Sequence, residues 1–377
     1  MKLTIPRTEL AAALAAVKAA ARGGKLPILA NVLIAVNDKT VTFTATDLDI
    51  TLRTTIDATV KTGSGTRITV RAALLHDIAA TAAGDDIALE LIKNTLHVTC
   101  GNAKFRLSTL DAEEFPPFTA VKDAVEFTLD DAVLHSLLQR THFAAGTDEA
   151  RQILCGCLLQ LGGGGLKVVA TDGRRLALAD ADTGSTKKLS CVIPGRATKE
   201  LLRLLNSNPD KPRNVTCAIG SNVAKFTFND TVLMTRLIEG NYPAFNQIIL
   251  SDKDPVCTLG RAELLGSVER IALVASAIKL EFGKQSLQIS SSIADTAGEK
   301  ELLGDAADSL LVPCTREVTA IMAVPFLKDA LRANPVEELQ VFNNGIITMF
   351  KADGWLTVIG GLQEKAEKPE AKPAPKK

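Results

Sequence analysis

The sequence predicts an α+β protein of three similar domains, each made of two helix-plus-sheet halves. Three observations predict it: length, an internal repeat, and a recurring order of strands and helices. The chain has 377 residues, more than one ordinary domain of about 100–200 residues. Thr46-Asp47 returns 125 positions later as Thr171-Asp172. At the same shift Ile28-Leu29 falls on Ile153-Leu154, and Val32-Leu33-Ile34 on Cys157-Leu158-Leu159, with no gap. A second pair agrees: Phe115-Pro116-Pro117-Phe118 and Tyr242-Pro243-Ala244-Phe245 each follow an expected strand. Self-similarity at a fixed period marks duplicated structural units.

The elements follow in order. LPILANVLIAVNDKTVTFTATDLDITLR and RQILCGCLLQLGGGGLKVVATDGRRLAL both read as strand, tight turn, strand, turn, strand. Asn37-Asp38-Lys39 makes the first hairpin turn, and the four glycines 162–165 make its counterpart. A weaker third copy runs through LEFGKQSLQIS, with Ser291-Ser292 standing where Thr-Asp stood before. Helices are expected to open the copies at 7–20, 129–141 and 261–276, with later ones at 71–83, 196–206 and 325–333. The domains are therefore placed at 1–120, 126–248 and 256–362. The remainder, 363–377, is rich in Lys, Glu, Pro and Ala and is expected to be a disordered tail.

Composition narrows the chemistry. Basic and acidic residues balance at 43 each, so only their placement can speak for a polyanion partner. Aromatic content is 4%, which argues against base-stacking platforms. Seven scattered cysteines and four isolated histidines show no metal-ligand spacing, and no cofactor is expected. Cys155 and Cys157 are expected to point together into a core from one strand. No apolar run reaches the roughly 18 residues of a membrane helix, and no secretory leader is visible. The expectation is a cytoplasmic protein.

The glycine run leads into a strand, not a helix, which rules out a Walker loop. Asp47 and Asp172 are potential catalytic carboxylates, but their equivalence at two strand ends favours a turn role, accepting backbone N–H bonds. No nucleophile–base arrangement stands out, and the chain reads as a non-enzyme. Arg196, Lys199 and Arg203 share one helix face, and Lys328 and Arg332 lie four apart on another. Such a face is either simply solvated or lines a polyanion surface.

These stretches resemble the bacterial DNA sliding clamp, the beta subunit of DNA polymerase III. LPIL, TATDLDI, FRLSTLDAEEFP, VATDGRRLA, VIPGRATKELLRLL and MTRLIEGNYPAF carry the resemblance, in family order, and it extends from Met1 to about Leu362. It implies three clamp domains per chain. Two chains would join head to tail into a ring with helices inside and sheets outside. The ring would encircle double-stranded DNA without reading sequence and act as the processivity factor of the polymerase. The implied partners are the DNA polymerase III alpha subunit, the clamp loader, other clamp-motif proteins and a second copy of the chain.

The resemblance also assigns residues. A hydrophobic cleft for partner peptides would comprise Thr171, Gly173, Arg174, Arg175, Leu176, Pro243, Ile248, Phe326, Ile347, Val358, Ile359 and Leu362. Arg22, Lys25, Arg196, Lys199 and Arg203 would face DNA. Phe105 and Leu107 of one copy would meet Leu273 and Val274 of the next. Two departures stand out. Where the family commonly ends on a Met-Pro-Met-Arg-Leu-like run, this chain has Ile359-Gly360-Gly361-Leu362 and an added tail. The link after the third copy's first helix is short, and no aromatic for the cleft comes from it. A paralogue serving drug tolerance or a mobile element is the alternative function, with a carboxylate- or phosphate-handling enzyme as the remote one.

Overall fold

The computed structural model describes residues 1–24, 26–118, 120–205, 213–251, 254–292 and 306–363. Lys25 and the tail beyond Gln363 thus lie outside the described residues. The described chain is α+β, with antiparallel sheets and six short α-helices: α1 (Arg7–Val17), α2 (Ala72–Thr81), α3 (Asp131–Gln139), α4 (Gly195–Leu204), α5 (Arg261–Ile271) and α6 (Val324–Ala333). Each helix follows directly from a strand, and Pro325 sits in the first turn of α6, where a missing N–H costs nothing.

The chain divides into two compact units. Unit 1 comprises Met1–Ser136, Leu159–Leu166 and Asp182–Gly240; unit 2 comprises Leu137–Leu158, Lys167–Ala181 and Asn241–Lys377. These limits are out of phase with the 125-residue repeat, because strands of different repeats share a sheet. In unit 1, strand Thr231–Arg236 of the second repeat pairs with Ile50–Asp57 of the first, with Thr235 opposite Ile50. In unit 2, the strand that begins at Arg175 pairs with Trp355–Gly360, with Arg175 opposite Ile359. Compactness follows these ladders, whereas repetition follows the sequence.

Unit 1 holds a five-stranded sheet and an eight-stranded one. The first ends on edge strand Ala103–Ser108, and the second runs from Val125–Asp130 to Arg67–Arg71. Leu10, Ala13, Leu14 and Val17 of α1 are buried, and α1 packs on α2 and on strand Ile50–Asp57. Their spacing is the i, i+3, i+4, i+7 stripe of a half-buried helix, and each large side chain contributes about 1.5–3 kcal/mol by leaving water. Ile28, Leu29, Leu33, Ala112 and Phe115 form a satellite cluster, which explains why the Phe-Pro-Pro-Phe connector lies against the first repeat.

Unit 2 holds a four-stranded sheet ordered Ala307–Leu310, Leu287–Ser292, Ala277–Phe282, Val318–Ala323. A second ladder runs from the Arg175 strand through Trp355–Gly360, Ile347–Ala352 and Glu338–Asn343 to Cys257–Gly260. Helix α5 packs on α6. Trp355, the one tryptophan of the chain, is buried and donates its indole N–H to the Arg140 carbonyl at 2.8 Å.

Several local expectations are corrected. LPIL and RQIL are not strands: Pro27–Ala30 and Glu149–Leu154 form 3-10 turns, and the strands begin at Asn31 and Gly156. Cys155 therefore precedes its strand. Its thiol donates to the Asp148 carbonyl at 3.2 Å, while Cys157 alone is buried. The helix expected at 129–141 starts later, because strand Val125–Asp130 runs up to it and the Asp130 carboxylate accepts the Ala132 N–H at 2.8 Å.

Candidate functional site

Thr171, Asp172, Gly173, Arg174 and Arg175 form a tight strand-to-strand turn in unit 2. The Thr171 hydroxyl donates to the Arg175 carbonyl at 2.6 Å and accepts the Gly173 N–H at 3.1 Å. Asp172 Oδ1 accepts the N–H groups of Arg174 and Arg175 at 2.8 and 3.0 Å. Gly173 takes φ 88°, the left-handed region. Unit 1 repeats the device residue for residue. Thr46 donates to the Ile50 carbonyl, and Asp47 Oδ1 accepts the Asp49 and Ile50 N–H groups at 3.1 and 2.9 Å. There, however, the left-handed position is Leu48, at φ 79°. Both carboxylates thus serve turns, as the repeat suggested.

Arg175 is the centre of the unit 2 arrangement. Only 12% of its side chain is exposed. Its guanidinium donates to Asp172 Oδ2 at 3.1 Å and to Asp329 Oδ2 of α6 at 2.8 Å. It also stands 4.6 Å from the Phe326 ring centroid and 5.5 Å from that of Phe143. A planar cation held by two carboxylates between aromatic rings is fixed in orientation as well as position.

The strand pairing joins this turn to the third repeat. Ile359 lies opposite Arg175 and Val358 opposite Leu176, and all but Arg175 are buried. The Gly360 N–H donates to the Arg174 carbonyl at 2.9 Å, and the Leu362 N–H to the Ile321 carbonyl at 2.8 Å. Gly361 donates to the Ile346 carbonyl, and a Cβ on it would stand 2.6 Å from that oxygen. This close approach calls for glycine at 361, and a Cβ on Gly360 would stand 3.0 Å from the Arg174 carbonyl oxygen. Ile347 is half-buried, whereas its neighbour Ile346 is 74% exposed. Pro243 and Ile248 are exposed on the segment after strand Thr231–Arg236. Tyr242 brings that segment to the turn: burial pushes its phenol well above the usual tyrosine range, with Cys157 and Asp172 adding to the effect and the Thr171 backbone opposing it.

The structure therefore gathers Thr171, Gly173, Arg175, Leu176, Phe326, Val358 and Ile359 about one joint, with Arg174 exposed at its edge, while Leu362 is tied by its backbone to Ile321. Asp329, Phe143 and Ile346 escaped the sequence reading, and Tyr242 entered it only as part of the repeat. Asp329 lies three residues after Phe326 on α6, and that spacing puts both on one helix face.

The expected DNA-facing residues diverge. On α4, Arg196 is bound to the nearly buried Asp47 carboxylate. Arg203 pairs with Glu200 at 2.8 Å and donates to the Ala15 and Ala16 carbonyls at 3.2 and 2.7 Å, near the C-terminal end of α1. Both arginines thus tie α4 into unit 1. Lys199 and Arg22 are exposed.

Of the expected contact residues, Phe105 is 39% exposed on an edge strand and Leu273 is 78% exposed after α5. Leu107 points the same way as Phe105 but is buried opposite Leu96, and Val274 is half-buried. Among the described residues no group of three or more His, Cys, Asp and Glu could hold a metal ion, and no helix is long and apolar enough to cross a membrane.

Residues 1–119 match the family model for the DNA polymerase III beta subunit, N-terminal domain, and residues 128–244 the model for its central domain. The chain is 30% identical to the beta sliding clamp of Escherichia coli K12 over 80% of its own length and 84% of that protein. It is 28% identical to the clamp of Chlamydia muridarum over 92% of its own length and 95% of that protein. The crystal structure of a DNA polymerase III beta subunit sliding clamp from Pseudomonas aeruginosa, bound to griselimycin, superposes with a TM-score of 0.88 at 25% identity. It covers 96% of this chain and 99% of that one. With two repeats matched by their own family models and the clamp fold reproduced along nearly the whole chain, this protein belongs to the bacterial beta sliding clamp family, the beta subunit of DNA polymerase III, and is a DNA polymerase processivity clamp.

Proposed function

We propose that two copies of the chain close a ring around double-stranded DNA and hold the DNA polymerase III alpha subunit, the clamp loader and other clamp-motif proteins through short peptides docked at the Arg175 joint. The chain itself does no chemistry. Tethering keeps a dissociated polymerase at high effective concentration beside its template. The observation that carries the reading is the Arg175 joint: a rigid charged centre paired with Asp172 and Asp329 and stacked on Phe326, with Ile346 and Ile248 standing exposed on other segments of unit 2. That combination suits a linear peptide whose apolar anchors seek a preformed shelf and whose polar groups meet the exposed Arg174.

Ring closure is supported by two edges that are open among the described residues, Ala103–Ser108 with exposed Phe105 and Ala307–Leu310 near exposed Leu273 and Leu311. Unpaired edges that carry apolar side chains are a liability which pairing between copies removes. Exposed Lys199 and Arg22 supply sequence-independent phosphate attraction. Retention on DNA tests the reading: the loaded protein should stay on nicked circular DNA and leave after linearisation. Equal retention on both forms, or a monomer at micromolar concentration, would sink it.

A further inference from the structure

Cys257 and Cys314 lie far apart in sequence and side by side in unit 2. Cys257 opens strand Cys257–Gly260, pairs with Val341 and is buried. Cys314 lies between strands Ala307–Leu310 and Val318–Ala323 and is partly exposed. The peptide groups beside them are bonded directly: the Thr315 N–H donates to the Val256 carbonyl at 2.8 Å. The Thr315 hydroxyl adds bonds to the Pro255 and Val256 carbonyls at 2.8 and 3.2 Å. From the other side, the Cys314 N–H donates to the Lys284 carbonyl at 3.2 Å, and the Val312 N–H to the Gln285 carbonyl at 3.2 Å. The backbone at Cys314 is therefore pinned from two sheets. One hydrogen bond joins the peptide group before Cys257 to the one after Cys314, which brings the two Cα atoms near each other, and a disulfide requires them within about 4.4–6.8 Å. The two thiols lie near enough that each shifts the titration of the other, and the Cys314 thiol donates to the Val312 carbonyl at 3.5 Å.

We propose that Cys257 and Cys314 are a modification site, a thiol pair that a low-molecular-weight disulfide converts into an intramolecular cystine joining the two sheets of unit 2. The Cys314 thiolate attacks one sulfur of the reagent, whose S–S bond breaks and releases one small thiolate. The Cys257 sulfur, giving its proton to solvent, then attacks Cys314 Sγ of the mixed disulfide and expels the second. Two protein thiols are oxidised, and one reagent disulfide is reduced to two thiols. The order follows from exposure, since Cys257 is buried and Cys314 is partly exposed. Burial pushes the Cys257 thiol up to about 12, while Cys314 is raised by partial burial against the opposing effect of Cys257. With both raised, exchange is slow at neutral pH and speeds up as pH rises, since the thiolate is the nucleophile.

The test uses the reduced full-length chain incubated with oxidised glutathione at pH 8.5, followed by alkylation and peptide mass mapping. A peptide linking Cys257 to Cys314 should become the dominant intramolecular product. It should persist in Cys217→Ser and vanish in Cys314→Ser. Thermal unfolding gives a second readout: the oxidised wild type should melt about 5 °C or more above the reduced form, because a long loop is closed, and Cys314→Ser should show no such rise. Glutathione left on Cys314 with Cys257 still free, linkage through other cysteines, or no thiol loss would each overturn the proposal.

Discussion

Arg196 of α4 grips the carboxylate of Asp47 across the first strand junction, whereas at the second junction Arg175 in the turn is gripped by Asp329 of α6. The two joints share a backbone: the Arg236 N–H donates to the Asp49 carbonyl at 3.0 Å, as the Gly360 N–H does to that of Arg174 at 2.9 Å. The ion pair has reversed polarity between them. In unit 1 the cation belongs to the helix and the turn is acidic; in unit 2 the turn is cationic and has become the joint that presents Arg174 and Arg175.

Arg196 accordingly acts on stability. Arg196→Ala should cost about 1–3 kcal/mol by stripping a charged partner from a nearly buried carboxylate, read by urea denaturation. Asp47→Asn in the same background should add less than it does alone, since the two effects share one interaction. Lys199→Ala, by contrast, should leave the urea midpoint unchanged and lower the salt slope of DNA binding by about one.

The left-handed turn position makes a paired prediction. Leu48 holds φ 79° where its counterpart is Gly173 at 88°. A non-glycine residue there costs about 1–2 kcal/mol, so Leu48→Gly should raise stability by up to about 1 kcal/mol once the greater freedom of glycine in the unfolded chain is counted. Gly173→Ala should lower it by about 1–2 kcal/mol, helped by a new contact 3.1 Å from the Arg151 guanidinium. Melting curves of the two variants should move in opposite directions.

Peptide affinity should depend on the shape of the Arg175 side chain as well as its charge. Arg175→Lys keeps the charge but loses the planar fork that serves Asp172 and Asp329 together and stacks on Phe326. Titration calorimetry with a clamp-motif peptide should show affinity falling at least tenfold, with Asp329→Asn giving a smaller loss. Unchanged affinity in both would remove Arg175 from the docking site.

Acid should loosen the third repeat at a defined place. Arg270 and Ser267 of α5, with the Ser309 N–H, hold the Asp308 carboxyl down to about 2. A carboxylate depressed in the folded state contributes above its unfolded pKa, and the contribution is lost as pH falls through the folded value. The Tm should therefore drop between about pH 4 and pH 2 in the wild type, and this part of the acid limb should flatten in Asp308→Asn.

The repeat, the antiparallel hairpins and the Thr-Asp turns were legible because each rests on local pattern: alternation, glycine placement, a carboxylate two residues before the N–H it accepts. Most of the joint was legible only through family resemblance. What remained hidden depends on pairing across distant segments. Phe143 reaches Arg175 from a 3-10 turn that no periodicity announces. Leu107 has the same alternation as Phe105, yet its own sheet buries it. Arg196 and Arg203 look like a solvated basic stripe until α1 and the Asp47 turn are folded beneath them.

The mismatch between repeat and compact unit bears on where this chain can be cut. A polypeptide ending at residue 119 contains one whole family module, yet it leaves strand Ile50–Asp57 without its neighbour Thr231–Arg236. It would expose the backbone of a sheet interior as a fresh edge, ready to pair with itself. The segment that was duplicated is therefore not a segment that can be excised, and soluble fragments should be sought along the sheets.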